Sequence, residues 1–394
     1  MTTEDERYRT STQYRLWSYT PSSLLALRTS TNSLAADRVR EAVRRSREAR
    51  AVSSTETSDA ERGRSVSAAP EGEVDCLTVE EELKLVRFYC RQTSQLGDHL
   101  KFPSDVKVYN APLINMKSVL ILFWQATAIQ YIKRFYLTNS PMTYHPADIL
   151  KTALYFSTKT ENHYKSIVEF ANVIGKTKAE DVLASEFLLT QALRFTFDVR
   201  HPFRALDGAV MELRALASGN VPAIPGGEEP VDLPQRLDNR AQHSYSKAND
   251  YLKTSAQLTD VYFHFTPSQI MMASLLLADK DLAEWYIRSK FPASVDPSGL
   301  MANKVMGVVE KCAEMMATVA PNSDASDVER KEVSALMKKL KRCRNPEKKD
   351  LTALQRAKRA GAGEDEKIVK KRKLEREQSA KEGENLFGPA LKRS

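Results

Sequence analysis

The chain is poor in the residues from which disulfide-bonded folds and metal sites are built. Its 394 residues include four cysteines, Cys76, Cys90, Cys312 and Cys343, set far apart and without a CxxC pair. Neither a disulfide framework nor a thiolate zinc site is expected, and a reducing compartment is the default. The six histidines, His99, His145, His163, His201, His243 and His264, show no ligand spacing with the cysteines, which leaves metal binding without support. Long apolar runs are missing as well. The strongest, Val119 to Trp124, is far too short to span a bilayer. The N-terminus, MTTEDERYRT, has acidic residues and no apolar stretch, unlike a secretory signal. No HExxH, GxSxG or GxGxxG occurs, and Gly361 and Gly363 follow no strand. Gly175-Lys176-Thr177 imitates the end of a phosphate-binding loop, but Phe170 stands where that motif needs its earlier glycine. No intrinsic enzyme activity, cofactor or metal is expected.

What is present is charge, unevenly placed. Residues 331–394 hold 20 Lys or Arg against 10 Asp or Glu, leaving 39 against 41 for the rest of the chain. The basic pI near 9.1 therefore belongs to the C-terminal stretch, and a nucleic-acid-binding core would need its own basic face.

The apolar pattern is helical throughout. In an N-terminal arm, 1–50, Thr20 and Pro21 read as N-cap and first helical residue, followed by Leu24, Leu27, Thr31 and Leu34 along one side. Tyr14 and Trp17 are its expected anchors, against its own domain or against a partner. Residues 51–77, rich in Ser, Thr, Glu and Ala, read as a disordered insertion. Order resumes at Thr78, whose capping box with Glu81 opens a periodic run through Leu83, Val86, Tyr89 and Cys90. Further helices are expected at about 115–137, 146–159, 164–174 and 179–194, then from the Pro- and Gly-rich loop at 219–234 to about 320. No alternation marks a strand, so the fold class is all-α. Sliding the chain by 121 residues lays FTPSQIMMASLLLADK over YHPADILKTALYFSTK, with Pro267 on Pro146, Ile270 on Ile149 and Leu275 on Leu154. That register suggests two similar domains, 78–199 and 200–320, followed by a basic helix or tail, 321–394.

The motifs KRFYLTNSPMTYHP, the helix ending STK, ASEFLLTQALRFTFDVRHPFRALDG and LTDVYFHFTPSQI stand in the order of the cyclin fold, and STQYRLWSYTPSS resembles the N-terminal segment of the cyclin H family. The resemblance covers about residues 11–34 and 78–320 and implies two tandem five-helix cyclin boxes with flanking helices. Phe102 to Met116 is longer than in animal members, as suits a fungal type. The family's function implies a regulatory subunit that activates a cyclin-dependent kinase. The implied partners are that kinase, a RING-containing assembly subunit and general transcription factor IIH, which acts on RNA polymerase II in the nucleus. No direct nucleic-acid contact by the folded core and no membrane contact are implied. At matching positions Lys159 and Glu186 fall where the family touches the kinase αC helix, although such residues alone read as solvated charges. Thr160 replaces a larger apolar residue there. Phe195 and Phe197 are either kinase contacts or core. Lys370, Lys371, Arg372 and Lys373 read as an import signal or as a solvated charged helix. The alternatives are an elongation- or Mediator-type cyclin, and a cyclin-fold DNA-binding or scaffold module.

Overall fold

The computed structural model describes residues 4–55, 74–100, 116–163, 165–175, 177–217, 235–291, 296–321 and 326–344. Among these residues the regular structure is helical and none is in a strand. In chain order the helices are α1 (Glu4–Arg9), α2 (Thr12–Trp17), α3 (Pro21–Thr55), α4 (Val79–His99), α5 (Met116–Thr138), α6 (Pro146–Thr160), α7 (Ile167–Ile174), α8 (Ala179–Leu183), α9 (Glu186–Ala192), α10 (Phe203–Ala217), α11 (Gln235–Lys253), α12 (Ser255–Leu258), α13 (Val261–His264), α14 (Pro267–Ala278), α15 (Lys280–Ser289), α16 (Leu300–Ala317) and α17 (Asp327–Arg342). No helix among the described residues is long and apolar enough to cross a membrane.

Two helices organise two bundles. α5 is enclosed by α4, α6 and α9, and α14 by α10, α11, α15 and α16. From Trp124 to Leu137 α5 is buried on every side, with Trp124, Tyr131, Ile132 and Phe135 fully enclosed, as befits the central helix of a bundle. Its polar residues Gln125, Thr127, Gln130, Lys133 and Arg134 are buried too; Thr127, Gln130 and Lys133 reach His201, Gln257 and Thr259 across the junction between the bundles, whereas Gln125 donates to Asp98 of α4.

The helix starts follow the expected caps. Thr78 accepts from Glu81 N while Glu81 reaches back to Thr78 N, and Thr266 with Gln269 does the same for α14. Thr20 caps α3 through Ser23 N. Gly175 ends α7 at φ +69, a conformation that favours glycine, so the phosphate-loop look-alike is a helix terminus.

Several expectations need correction. The run expected as one helix over 179–194 breaks at Ala184–Ser185, because Ser185 leaves helical geometry and its carbonyl accepts from Leu189 N to start α9 afresh. The side of α3 that packs runs through Leu24, Ala35, Ala36, Val39 and Ala42, whereas Leu34 is exposed. Trp17 is buried, but Tyr14 is exposed and only covers the edge of the buried Tyr8. Residues 51–55 continue α3, and Asn32 donates to the carbonyl of the buried Leu77, so the ends of the expected insertion are structured. Residues 56–73, the loop 219–234 and Lys370 to Lys373 lie outside the described residues. Lastly, α17 is no free tail: Val333, Leu336, Leu340 and Cys343 pack with Ala35, Val39, Leu77, Leu85 and Met142.

Candidate partner-binding site

α6 and α9 present the candidate side chains. His145 caps α6 by accepting from Ala147 N, and Pro146 needs no partner at the first helical position. The buried stripe Ile149, Leu150, Ala153, Leu154 and Phe156 then leaves Lys159 in the last turn of the helix. Glu186 occupies the first turn of α9, where the positive end of the helix favours a carboxylate. Lys159 Nζ donates to Glu186 Oε1 at 2.6 Å and lies 4.7 Å from the Tyr155 ring centre. The two side chains are 34% and 25% exposed. They form a half-buried cross-helix pair on a ring platform, not two solvated charges. At the equivalent position of the second bundle, Lys280 is 72% exposed and, among the described residues, pairs with Glu284 one turn on.

The other candidates separate. Thr160 is tied inward: its hydroxyl donates to Ser157 O, and Tyr131 Oη, which donates to Phe197 O at 2.6 Å, lies 3.0 Å away. Phe197 stacks edge-on against Phe156 with centroids 5.0 Å apart, half-buried against the core and lining the neighbouring cleft. Phe195 is 62% exposed, which corrects the core alternative for that residue. Phe187, beside Glu186, is 72% exposed and escaped sequence reasoning. A signal was available: Val182, Ser185, Leu189 and Leu193 form the buried stripe, which turns Phe187 outward.

Phe195 is exposed because of an unusual helix end. α9 closes with Phe195 N donating to Thr190 O and Arg194 N to Gln191 O, the paired bonds of a Schellman terminus. That terminus usually takes glycine, yet here Arg194 and Phe195 have φ +53 and +54. Each such residue costs on the order of 1 kcal/mol.

Behind this face a directed hydrogen-bond chain crosses the junction. Thr127 donates to Glu161 Oε1 at 2.6 Å, so its oxygen accepts from His201 Nε2 at 2.9 Å. His201 Nδ1 must then accept from Tyr262 Oη, which in turn accepts from Gln257 Nε2, while Gln257 Oε1 accepts from Gln130 Nε2. Each link has one donor and one acceptor, with the second hydrogen of Gln257 Nε2 given to Leu252 O, and His201 is the neutral Nε2–H tautomer. Burial, with the Arg134 charge adding, pushes its pKa down to about 3. Glu161 and Thr160 line a cleft of about 720 Å³ together with Arg200 and Arg204. Among the described residues no cluster of metal-ligating side chains occurs.

Residues 201–317 match the Cyclin C-terminal domain. A chain of the CAK complex of Chaetomium thermophilum bound to ATP-γ-S superposes with a TM-score of 0.69 at 37% identity, over 92% of this chain and 96% of that one. The chain belongs to the cyclin H family. Cyclin CCL1 of Saccharomyces cerevisiae is 32% identical over 74% of this chain, and the match spans 62% of the yeast protein's length. Cyclin mcs2 of Schizosaccharomyces pombe is 28% identical over 89% of each chain. A chain of the yeast TFIIK (Kin28/Ccl1/Tfb3) complex is similar at TM-score 0.53 and 27% identity, over 78% of this cyclin and 100% of that chain. The two bundles are thus the two boxes of a cyclin, with α1–α3 and α17 as its flanking helices.

Proposed function

We propose that this cyclin is the regulatory subunit of a cyclin-dependent kinase of the CDK-activating type, and that the face carrying Lys159, Glu186, Phe187 and Phe195 receives the kinase αC helix. The observation that supports this most is the half-buried Lys159–Glu186 pair flanked by two exposed phenylalanines. Aromatic anchors beside charges that exchange partners are the features of an interface centre. A kinase of this class needs αC inward to complete its Lys–Glu ion pair and place ATP phosphates. A rigid cyclin that binds only the inward state shifts that equilibrium. A shift from 1:99 to 99:1 requires about 5.5 kcal/mol of differential binding, which an interface of a few thousand Å² supplies and one ion pair does not.

By analogy with the CAK complex and with TFIIK, which contains Kin28 and Tfb3, the further partners are a RING-containing assembly subunit and general transcription factor IIH. The substrates would then include other cyclin-dependent kinases and the RNA polymerase II tail, and the place of action the nucleus. The cyclin itself carries no catalytic role in this reading.

Affinity purification from nuclear extract with mass spectrometry tests the class: a CDK-activating kinase is the expected catch. An elongation or Mediator kinase would reassign it. Lys159→Ala combined with Glu186→Ala is expected to weaken kinase binding and activation at least tenfold while the melting temperature stays within a few degrees. Normal activation by the double variant would move the kinase to another face. Salt-dependent DNA binding that survives truncation after Arg344, which spares α17, would favour the DNA-binding module instead.

A further inference from the structure

The left-handed pair Arg194 and Phe195 is held from outside by α2. Trp17 is 1% exposed, and its Nε1 donates to Thr196 Oγ1 at 3.0 Å. Thr196 in turn donates to Leu193 O at 2.8 Å, fixing the C-cap of α9 just before the turn. The Arg194 guanidinium lies 5.1 Å from the centre of the Trp17 ring, and that of Arg134 lies 5.0 Å from it. Next along α2, Gln13 Oε1 accepts from Arg200 N at 2.7 Å, where the same segment ends. The arm thus grips the segment 194–200 at its start and at its end. A non-glycine left-handed turn persists only where the surroundings over-determine it, and these contacts are the ones that do so. The product is an outward Phe195 just past the end of the α9 face that begins at the exposed Phe187.

We propose that Trp17 is a positioning residue for kinase activation. By holding the Arg194–Phe195 turn in its left-handed form, it presents Phe195 as a preformed contact, so that the kinase need not order the turn on binding. This rests on the kinase-activator reading of the face above.

The test uses the full chain and the kinase recovered by the purification described above. Trp17→Ala is expected to weaken kinase binding about tenfold and to speed amide exchange of Arg194 and Phe195. Trp17→Phe, which keeps a ring and deletes the N–H, is expected to fall between. The decisive variant is Trp17→Ala with Arg194→Gly, because glycine takes the left-handed conformation without a clamp. Restored binding at an unrestored melting temperature would separate turn positioning from simple docking of the arm. Unchanged binding of Trp17→Ala, or a double variant no better than the single one, overturns the proposal. Phe195→Ala and the Lys159–Glu186 double variant report on the face itself. If neither weakens binding, the kinase reading fails; if both do and Trp17→Ala does not, only the positioning role fails.

Discussion

His201 is the residue whose state is most tightly dictated by its neighbours. Its Nδ1 must accept from Tyr262 because Tyr262 already accepts from Gln257, and protonation would set two donors against each other. The folded pKa near 3 stands below the unfolded value of about 6.5. The neutral form is therefore the one that folding favours. The resulting stability is complete above pH 6.5 and declines as pH falls from 6.5 toward 3. At pH 5 the loss is about 2 kcal/mol. Glu82 acts with the opposite sign: burial raises its carboxyl to about 7 against the pull of Ser140 and Asn32, so its penalty disappears as pH falls from 7 to 4.5. Comparing wild type with His201→Gln, which can still donate and accept but does not titrate, removes the Glu82 contribution. Urea titrations at pH 7 and 5 are expected to show the variant losing about 2 kcal/mol less than wild type over that interval. Equal losses would mean that another group titrates. Residue identity alone could not reveal this role, because the partners Thr127 and Tyr262 stand 74 and 61 residues away.

At the scale of elements, what was legible depended on whether local signals or long-range packing decided the structure. The caps at Thr20, Thr78 and Thr266 are local chemistry, and each helix begins where its cap places it. The register between α6 and α14 was legible for the same reason. The break between α8 and α9 was not: Val182, Ser185 and Leu189 keep helical spacing across it, so periodicity runs through a turn that tertiary packing introduces. Of the candidate site, Lys159 and Glu186 were visible through family motifs and the outward turn of Phe187 through that same spacing, whereas the exposure of Phe195 depends on the left-handed turn. α17 was hidden by composition. Its buried residues are just Val333, Leu336 and Leu340, with Met337 half-buried beside them, within DVERKEVSALMKKLKR, and its partners in α3 and α4 are some 250 to 300 residues away. Charge fixes it further: Arg91 meets Glu329 at 2.6 Å, and Lys339 reaches both Asp75 and Glu81 at 2.9 Å. Leu340 is 1% exposed, and Leu340→Ala is expected to cost about 2–4 kcal/mol in a denaturant titration. A change within experimental error would return α17 to the status of an accessory tail.

For the whole molecule, the arm is the tie that makes two boxes one body. Thr31 donates to Leu137 O at the end of α5, in the first box, while Tyr19 N donates to Phe263 O in the second. Between them Arg28 makes a two-pronged bond to Asp260 at 2.7 and 2.8 Å, with the arginine only 12% exposed. Asp260 also serves Lys133, a buried residue of α5 that donates to the carbonyls of Gln257 and Thr259. Burial alone would raise the Asp260 carboxyl; the Arg28 bonds and the Lys133 charge outweigh it and hold the pKa near 2. Removing Arg28 leaves that carboxylate half-enclosed with one cation in place of two. Arg28→Ala is expected to cost about 2–3 kcal/mol at pH 7, well above a surface pair. The loss should be shared by both boxes. The folded pKa of Asp260 is depressed, so the pair's contribution is present above pH 3.8 and fades as pH falls toward 2, leaving it intact at neutral pH. Hydrogen exchange of buried amides in α5 and α14 is the measurement: a tie between boxes speeds both together, while acceleration confined to one box would make Arg28 a local contact and leave the Gln130–Gln257 chain as what holds the halves together.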